Sequence, residues 1–254
     1  MVIDTVTLQN FRSYESYRLK LDPRLTVIVG KNGIGKTNLL EAIYVTLHGS
    51  SFRATDTELV RHEAAWWRVG VEFDDRNREL RYEADKRPAK QLIDRSTKKR
   101  FSYQDRLPVV LFEPHDLLLI SGSPSRRRDA LDHMIGFLSK TYKQTLGRYE
   151  RALQQRNNLL KQYTGLDSLK DQLFVWDVMI AEMSEYLLTE RQKFIAAINK
   201  HLPAMYERIA GVPSEVELIY SSSLPDSPTS SQIIAQLHAG LRGDIARGTT
   251  SIGP

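Results

Sequence analysis

Two periodicities divide the chain. Up to about residue 123, apolar positions come in alternation or in short unbroken runs, and from Pro124 onward they step by threes and fours. Tyr17, Leu19 and Leu21 alternate with polar residues, as do Val69, Val71 and Phe73 and then Leu80 and Tyr82. This is the pattern of antiparallel strands with one buried face. Leu25-Thr26-Val27-Ile28-Val29 and Leu107-Pro108-Val109-Val110-Leu111-Phe112 are apolar enough to predict buried strands. Leu39, Leu40, Ile43 and Leu47 recur at helical spacing and predict a helix just after Lys36. Residues 85–106 are polar and strongly basic, with Lys98-Lys99-Arg100 at their centre. They read either as a solvated loop or hairpin tip, or as a patch facing DNA.

After Pro124 one apolar series runs through Leu131, Ile135, Leu138, Tyr142, Leu146, Tyr149 and Leu153. A second runs through Leu173, Trp176, Ile180, Met183, Leu187, Phe194 and Ile198. Two long helices follow, and Thr164-Gly165 between them predicts an antiparallel hairpin about 50 Å long at 1.5 Å per residue. The polar filling of the other positions favours an exposed arm over two ordinary core helices, with Trp176 and Met183 as seam residues. Val216-Glu217-Leu218-Ile219-Tyr220 predicts a strand, 221–231 a Ser/Pro-rich loop and 232–242 a short helix, and Gly248-Thr249-Thr250-Ser251-Ile252-Gly253-Pro254 follows. No internal repeat is visible.

The 254 residues suit one large domain or two smaller ones, and a 41% hydrophobic share can build a core. Thirty-six Lys and Arg against 31 Asp and Glu leave +5, which permits an acidic partner such as nucleic acid without requiring one. With no cysteine, disulfide frameworks and thiolate metal sites are excluded, and a reducing, cytoplasmic setting is expected. Met1-Val2-Ile3-Asp4 lacks the features of a signal peptide, and no apolar run approaches a membrane span, so no membrane partner is expected.

One segment carries chemistry outright. Gly30-Lys31-Asn32-Gly33-Ile34-Gly35-Lys36-Thr37 is a glycine, four residues, then Gly-Lys-Thr, set between a predicted strand and a predicted helix. Glycines at that spacing let backbone N–H groups close around phosphate oxygens, lysine reaches the β and γ phosphates, and the Thr37 hydroxyl is placed for Mg²⁺. The expected ligand is a nucleoside triphosphate at a helix N-terminus. Hydrolysis would also need an acid at the end of a second apolar strand. Glu113, after Val109-Val110-Leu111-Phe112, is the candidate, although Pro114-His115-Asp116 follows without an adjacent second acid. Ile120-Ser121-Gly122-Ser123 fits a turn leading into a helix better than a Ser-Gly-Gly contact element.

Several blocks together resemble the RecF family of DNA repair ATPases. They are Leu8-Gln9-Asn10-Phe11-Arg12-Ser13-Tyr14, the phosphate loop continued by Asn38-Leu39-Leu40-Glu41-Ala42-Ile43, and Ser51-Phe52-Arg53-Ala54-Thr55-Asp56 with Glu58-Leu59-Val60. Leu111-Phe112-Glu113-Pro114-His115-Asp116-Leu117 and Pro124-Ser125-Arg126-Arg127-Arg128-Asp129-Ala130-Leu131-Asp132 add to the likeness, which thins over the helical series and returns at 248–254. The resemblance implies an α/β fold: an ABC-type P-loop ATPase head, a mixed sheet around the P-loop helix, with an inserted antiparallel helical arm. The expected division is 1–123 for the N-terminal part of the head, 124–210 for the arm and 211–254 for a segment returning to the head.

The resemblance also implies ATP and Mg²⁺ as cofactors, held by Gly30, Lys31, Asn32, Gly33, Ile34, Gly35, Lys36, Thr37 and Asn38, with Arg12 and Ser13 close to the nucleotide and Glu113 in a loop contacting the site. Implied partners are duplex DNA and single-strand/double-strand junctions, the RecO and RecR proteins in loading RecA, and a second copy in an ATP-dependent homodimer. Arg53, Arg61, Lys98, Lys99 and Arg100 are the candidate DNA contacts. Arg127 and Arg128 open a helix, where the macrodipole disfavours cations, so either an anionic partner or pairing with Asp129 or Asp132 is expected. Members of the family continue past the Gly-Pro at 253–254 with a partner-contacting signature and an acidic strand, so the chain resembles their first two thirds and is expected to hold ATP weakly without hydrolysing it alone. An SMC-type head, a small-molecule kinase and a helical interaction module with a relic nucleotide site are the competing readings.

Overall fold

The structure, a computed structural model, describes residues 2–73, 76–86, 90–94, 96–98, 101–162 and 166–254. It divides into two compact units, Met1–Glu113 and Pro114–Pro254.

The first unit is a six-stranded sheet with one helix on it. The strands are β1 (Ile3–Phe11), β2 (Tyr14–Lys20), β3 (Trp66–Phe73), β4 (Asn77–Glu83), β5 (Lys90–Asp94) and β6 (Ser96–Lys98), in the order β2-β1-β3-β4-β5-β6. All five ladders among the described residues are antiparallel. Helix α1 (Lys36–His48) packs on β3, β1 and β4. The alternation in the sequence builds this layer: Val6, Leu8, Val69, Val71, Leu80 and Leu92 point one way and meet Leu39, Ala42 and Val45 of α1 in one core. Phe11 meets Trp67 edge-to-face at 5.8 Å, and the Trp67 indole N–H donates to Asp56 O at 2.8 Å. Part of the polar 85–106 stretch is therefore a hairpin, β5 with β6, anchored by fully buried Leu92.

Two expected strands are absent from this unit. Among the described residues neither 25–29 nor 107–112 has a ladder partner, and Leu25, Val27, Val29, Val110 and Phe112 are exposed. A buried parallel strand needs neighbours on both edges to satisfy its N–H and C=O groups. Ile28, Leu107 and Val109 still turn toward the core, and Leu107 N–H donates to Leu47 O at 2.9 Å. Each run keeps one inward face without the hydrogen bonds of a sheet.

The second unit is helical. After a 3-10 turn at Pro114–Leu117 come α2 (Leu118–Ser121), α3 (Pro124–Leu138), α4 (Lys140–Lys161), α5 (Leu166–Asn199), α6 (Leu202–Ala210) and α7 (Ser230–Arg247). The first apolar series is split into α3 and α4, because Ser139 leaves helical geometry and its Oγ accepts from Tyr142 N–H at 3.1 Å. Helices α4 and α5 run antiparallel, with Arg156 opposite Asp177 and Tyr142 opposite Arg191. The expected break at Thr164-Gly165 lies outside the described residues. Trp176 and Met183 lie in the seam core.

Helix α7 is longer than the 232–242 expectation. Thr229 and Gln232 form a capping box at its start and Gly248, at φ 65°, closes it. It lies along α5, so Ile180, Leu187, Ile233 and Leu237 share a core, and the helical pair is not bare. The 216–220 strand is also absent. Asn199 substitutes for a neighbouring strand, accepting from Leu218 N–H and donating to Leu218 O, both at 2.9 Å.

Candidate nucleotide site

The phosphate loop is shaped by conformations that side chains resist. Gly33 and Gly35 have φ of 81° and 107°. Gly35 is the N-cap of α1 and offers the first turn no side-chain acceptor, so the helix opens with donors uncapped by a side chain and its positive dipole end facing the loop. A Cβ on Gly35 would meet Ser13 Oγ at 2.8 Å and Tyr14 OH at 3.1 Å. The turn between β1 and β2 thus packs directly on the loop. Tyr14 OH donates to Gly35 O at 3.2 Å, and Asn38 Nδ2 to Ser13 Oγ at 3.0 Å. Lys36 Nζ donates to Gly30 O and Lys31 O, both at 2.8 Å, which folds the ammonium back across the loop. Lys31, Asn32, Ile34 and Thr37 are exposed. Backbone donors, one ammonium and a helix dipole converge as an anion site requires.

Beside the loop lies a charged hub. Glu41, on the buried side of α1, accepts from Arg12 Nε and Nη2 at 3.0 and 2.9 Å, from Arg53 Nη2 at 2.8 Å and from Ser51 Oγ at 2.6 Å. Burial pushes the Glu41 carboxyl up, but the hydrogen bonds from Arg53, Arg12 and Ser51 outweigh it and hold the group at about 2. Arg53 is raised in turn, chiefly by Glu41 and further by the charge of Glu113. Arg53 also donates to Asn38 Oδ1 at 2.8 Å, and Arg12 Nη1 to Glu58 O at 3.0 Å. Arg12, Ser13, Asn38, Arg53 and Glu58 are on the walls of an open, mostly polar pocket of about 490 Å³.

Arg12 is held there against a local preference. Phe11 pairs with Tyr14, so Arg12 and Ser13 form a two-residue hairpin loop, and Arg12 has φ of 52° where such loops favour glycine or asparagine. Its backbone N–H donates to Leu59 O at 2.8 Å and Arg61 N–H to Asn10 O at 2.8 Å, which clips the 58–61 segment beside the turn.

The loop residues, Asn38, Arg12 and Ser13 therefore come together, and Arg53 joins them. The other candidate DNA contacts do not. Arg61 is half-exposed and sits 3.4 Å from Glu15. Lys98 pairs with Asp105, near the buried Arg78 and its partly buried partner Asp94, around a separate pocket of about 240 Å³. Lys99 and Arg100 lie outside the described residues. Arg127 Nη1 donates to Gly122 O at 2.7 Å, and Asp132 is taken by Arg191 and Tyr142. Glu41, Ser51 and Glu58 join the site without being marked as site residues by the sequence, although an acid inside Leu39-Leu40-Glu41-Ala42-Ile43 is a usable signal: a carboxylate on an apolar helix face must be paired.

Among the described residues no group of three His, Asp or Glu could hold a metal by itself. Thr37, exposed in the first turn of α1, offers a hydroxyl of the kind that can join Mg²⁺ bound to a nucleotide phosphate.

Comparison with known proteins gives the family. Residues 1–227 match the family described as AAA ATPase domain. The chain is 33% identical to the DNA replication and repair protein RecF of Lachnoclostridium phytofermentans, over all of this chain and 71% of that protein. It is 31% identical to the protein of the same name from Acetivibrio thermocellus, over all of this chain and 72% of that one. A solved structure described as the recombination mediator protein RecF-ATPrS in the RecFOR pathway superposes with a TM-score of 0.80 at 25% identity, covering 99% of this chain and 71% of that one. With a family model matched over residues 1–227 and relatives of this name matched along the whole chain, the chain belongs to the RecF family and carries an AAA ATPase domain.

Proposed function

We propose that this chain binds ATP with Mg²⁺ at residues 30–37 and acts in DNA replication and repair, with nucleotide controlling its hold on duplex DNA near single-strand gaps. Pairing of two copies around ATP and work with RecR and RecO in RecA loading complete the reading. One observation carries it: the uncapped N-terminus of α1, the left-handed glycines and Lys36 Nζ, folded across the loop, lie together in residues 30–37. Lys36 and the loop N–H groups would hold the β and γ phosphates, and Thr37 would hold Mg²⁺, which neutralises phosphate charge when bound. Arg12 and Arg53 stand next to that locus with their cations partly exposed.

Titration of a fluorescent ATP analogue in the presence of Mg²⁺ tests the site. Lys36→Ala is expected to weaken binding tenfold or more while thermal stability holds, and undiminished binding would discard the assignment. Duplex affinity measured with and without ATP tests the gating. A change that Lys36→Ala abolishes supports it, and identical affinities remove it.

A further inference from the structure

Helix α4 carries charge that the rest of the chain does not. Lys140, Lys143, Arg148, Arg151, Arg156 and Lys161 against the single acid Glu150 give +5, six minus one. The net charge of the whole chain is also +5, so all other residues together sum to zero. Arg156 is buried between Asp177 and Asp244, whereas the other five cations are exposed. At 3.6 residues per turn those five fall within an arc of about 140°, opposite the buried Tyr142, Tyr149, Ala152 and Leu160. Exposed Gln144, Gln154, Gln155 and Asn158 fill the same arc, and Glu150 sits at its edge. Helix α5, packed against it, has the opposite balance: six acids and three bases, a net −3. An ordinary solvated face intersperses both signs, and this one does not.

Three features choose the occupant. The 22 residues of α4 extend about 33 Å at 1.5 Å per residue, close to one turn of duplex DNA at about 34–36 Å. The exposed arc contains no aromatic, Met or Leu side chain, so it lacks both the desolvated anchors of a protein interface and the stacking platforms that hold single strands. Its Arg, Lys, Gln and Asn side chains donate readily to phosphate and sugar oxygens, and contacts of that kind carry no sequence information. We infer that the solvent face of α4 is a track for the phosphate backbone of duplex DNA, spanning about one turn and indifferent to base identity. This rests on the duplex-binding reading above and names the surface that reading left open.

The test is fluorescence anisotropy of the 254-residue chain with a duplex of about 30 base pairs, across salt from about 50 to 200 mM. Lys143→Gln/Arg148→Gln/Arg151→Gln is expected to weaken binding tenfold or more near 0.1 M salt. It should also flatten the log–log salt dependence by about 2 to 3, at about 0.9 for each phosphate no longer neutralised. Arg148→Lys/Arg151→Lys, which keeps the charge, should retain most of the affinity, and Lys170→Gln/Lys193→Gln on α5 should leave it unchanged; a melting curve for each variant checks folding. Wild-type binding with an unaltered slope in the triple variant overturns the track and leaves the duplex reading standing. Absence of duplex binding by the wild type at the lowest salt overturns that reading itself. Loss of polyglutamate binding by the triple variant, with duplex binding intact, would give the face to an acidic protein and overturn the track.

Discussion

The two units each bury a carboxylate–arginine cluster, and the clusters differ in what faces water. In the helical unit Arg156 is fully buried and bonds Asp177 at 2.7 Å, Asp244 at 2.9 Å and Thr250 at 2.8 Å, with both carboxylates almost as deep. Asp244 also accepts from Ser251 N–H and Oγ and from Arg247, and Asn157 accepts from Thr250, so the cluster fastens the 248–254 tail to α4, α5 and α7. In the sheet unit the burial is one-sided. Glu41 is fully buried, but Arg12 and Arg53 are 22% and 39% exposed. The Arg156 cation is sealed with both its carboxylates and can only hold structure together, because no ligand reaches it; the half-exposed Arg247 and His238 touch the same two acids from outside. A buried acid under half-open arginines fixes two cations at a pocket wall while leaving them hydrogen-bonding capacity for an anion.

The contrast is sharpest when each acid is removed. Asp244→Ala leaves the Arg156 cation short of a partner where water is excluded, and the cost is about 3–5 kcal/mol. A chemical denaturation curve of the full chain should show the helical transition moving by that amount, with nucleotide affinity of the folded protein unchanged. Glu41→Ala should cost less, about 2–3 kcal/mol, because water can reach both guanidinium groups it abandons. The pH dependence has a definite sign. The Glu41 pKa is depressed from 4.5 to about 2, so its stabilisation is full above the unfolded value and is lost as pH falls from about 4.5 to 2. Acid unfolding of the wild type, compared with Glu41→Gln, should differ in that window. Equal losses from Asp244→Ala and Glu41→Ala would erase the distinction between sealed and open.

How far these clusters are legible from the sequence follows from what each depends on. The phosphate loop is readable because the glycine spacing and the lysine are local, and so are the period of two in β3 and β4 and the seams of α4 and α5. Family resemblance marks Arg12 as a candidate, and what holds its side chain, the Glu41 carboxylate 29 residues away, is a tertiary contact no local pattern carries. Arg53 reads as a candidate DNA contact from its charge alone, and its bond to the buried Glu41 is again a tertiary contact. The strands expected at 25–29 and 107–112 fail for the reason sheets are hard to read: an apolar run records inward-facing positions, and a ladder also needs a neighbour. The helix break at Ser139 is readable as an N-cap, but the heptad-like spacing runs through it and conceals it.

The smallest expected change in stability belongs to Arg12, where the open cluster meets backbone strain. Holding a non-glycine residue at φ 52° costs about 1–2 kcal/mol, and Arg12→Gly would relieve it. The same change removes two hydrogen bonds to Glu41 and one to Glu58 O, leaving Glu41 to Arg53 and Ser51. At roughly 1.5 kcal/mol for each charged hydrogen bond those losses exceed the relief, but water reaches this partly exposed guanidinium, so a net loss of only about 1–2 kcal/mol is expected in the melting curve. Nucleotide affinity should not be spared: a cation fixed at the pocket wall is gone, and a fall of about tenfold is expected, in line with roughly 1.5 kcal/mol for a charged hydrogen bond. A stability loss no larger than that, with a clear loss of ATP-analogue binding, would mean that the strained turn is kept for its ligand. A large loss of stability with intact binding would instead make Arg12 a structural clamp, and the cluster around Glu41 would then be sealed in all but exposure.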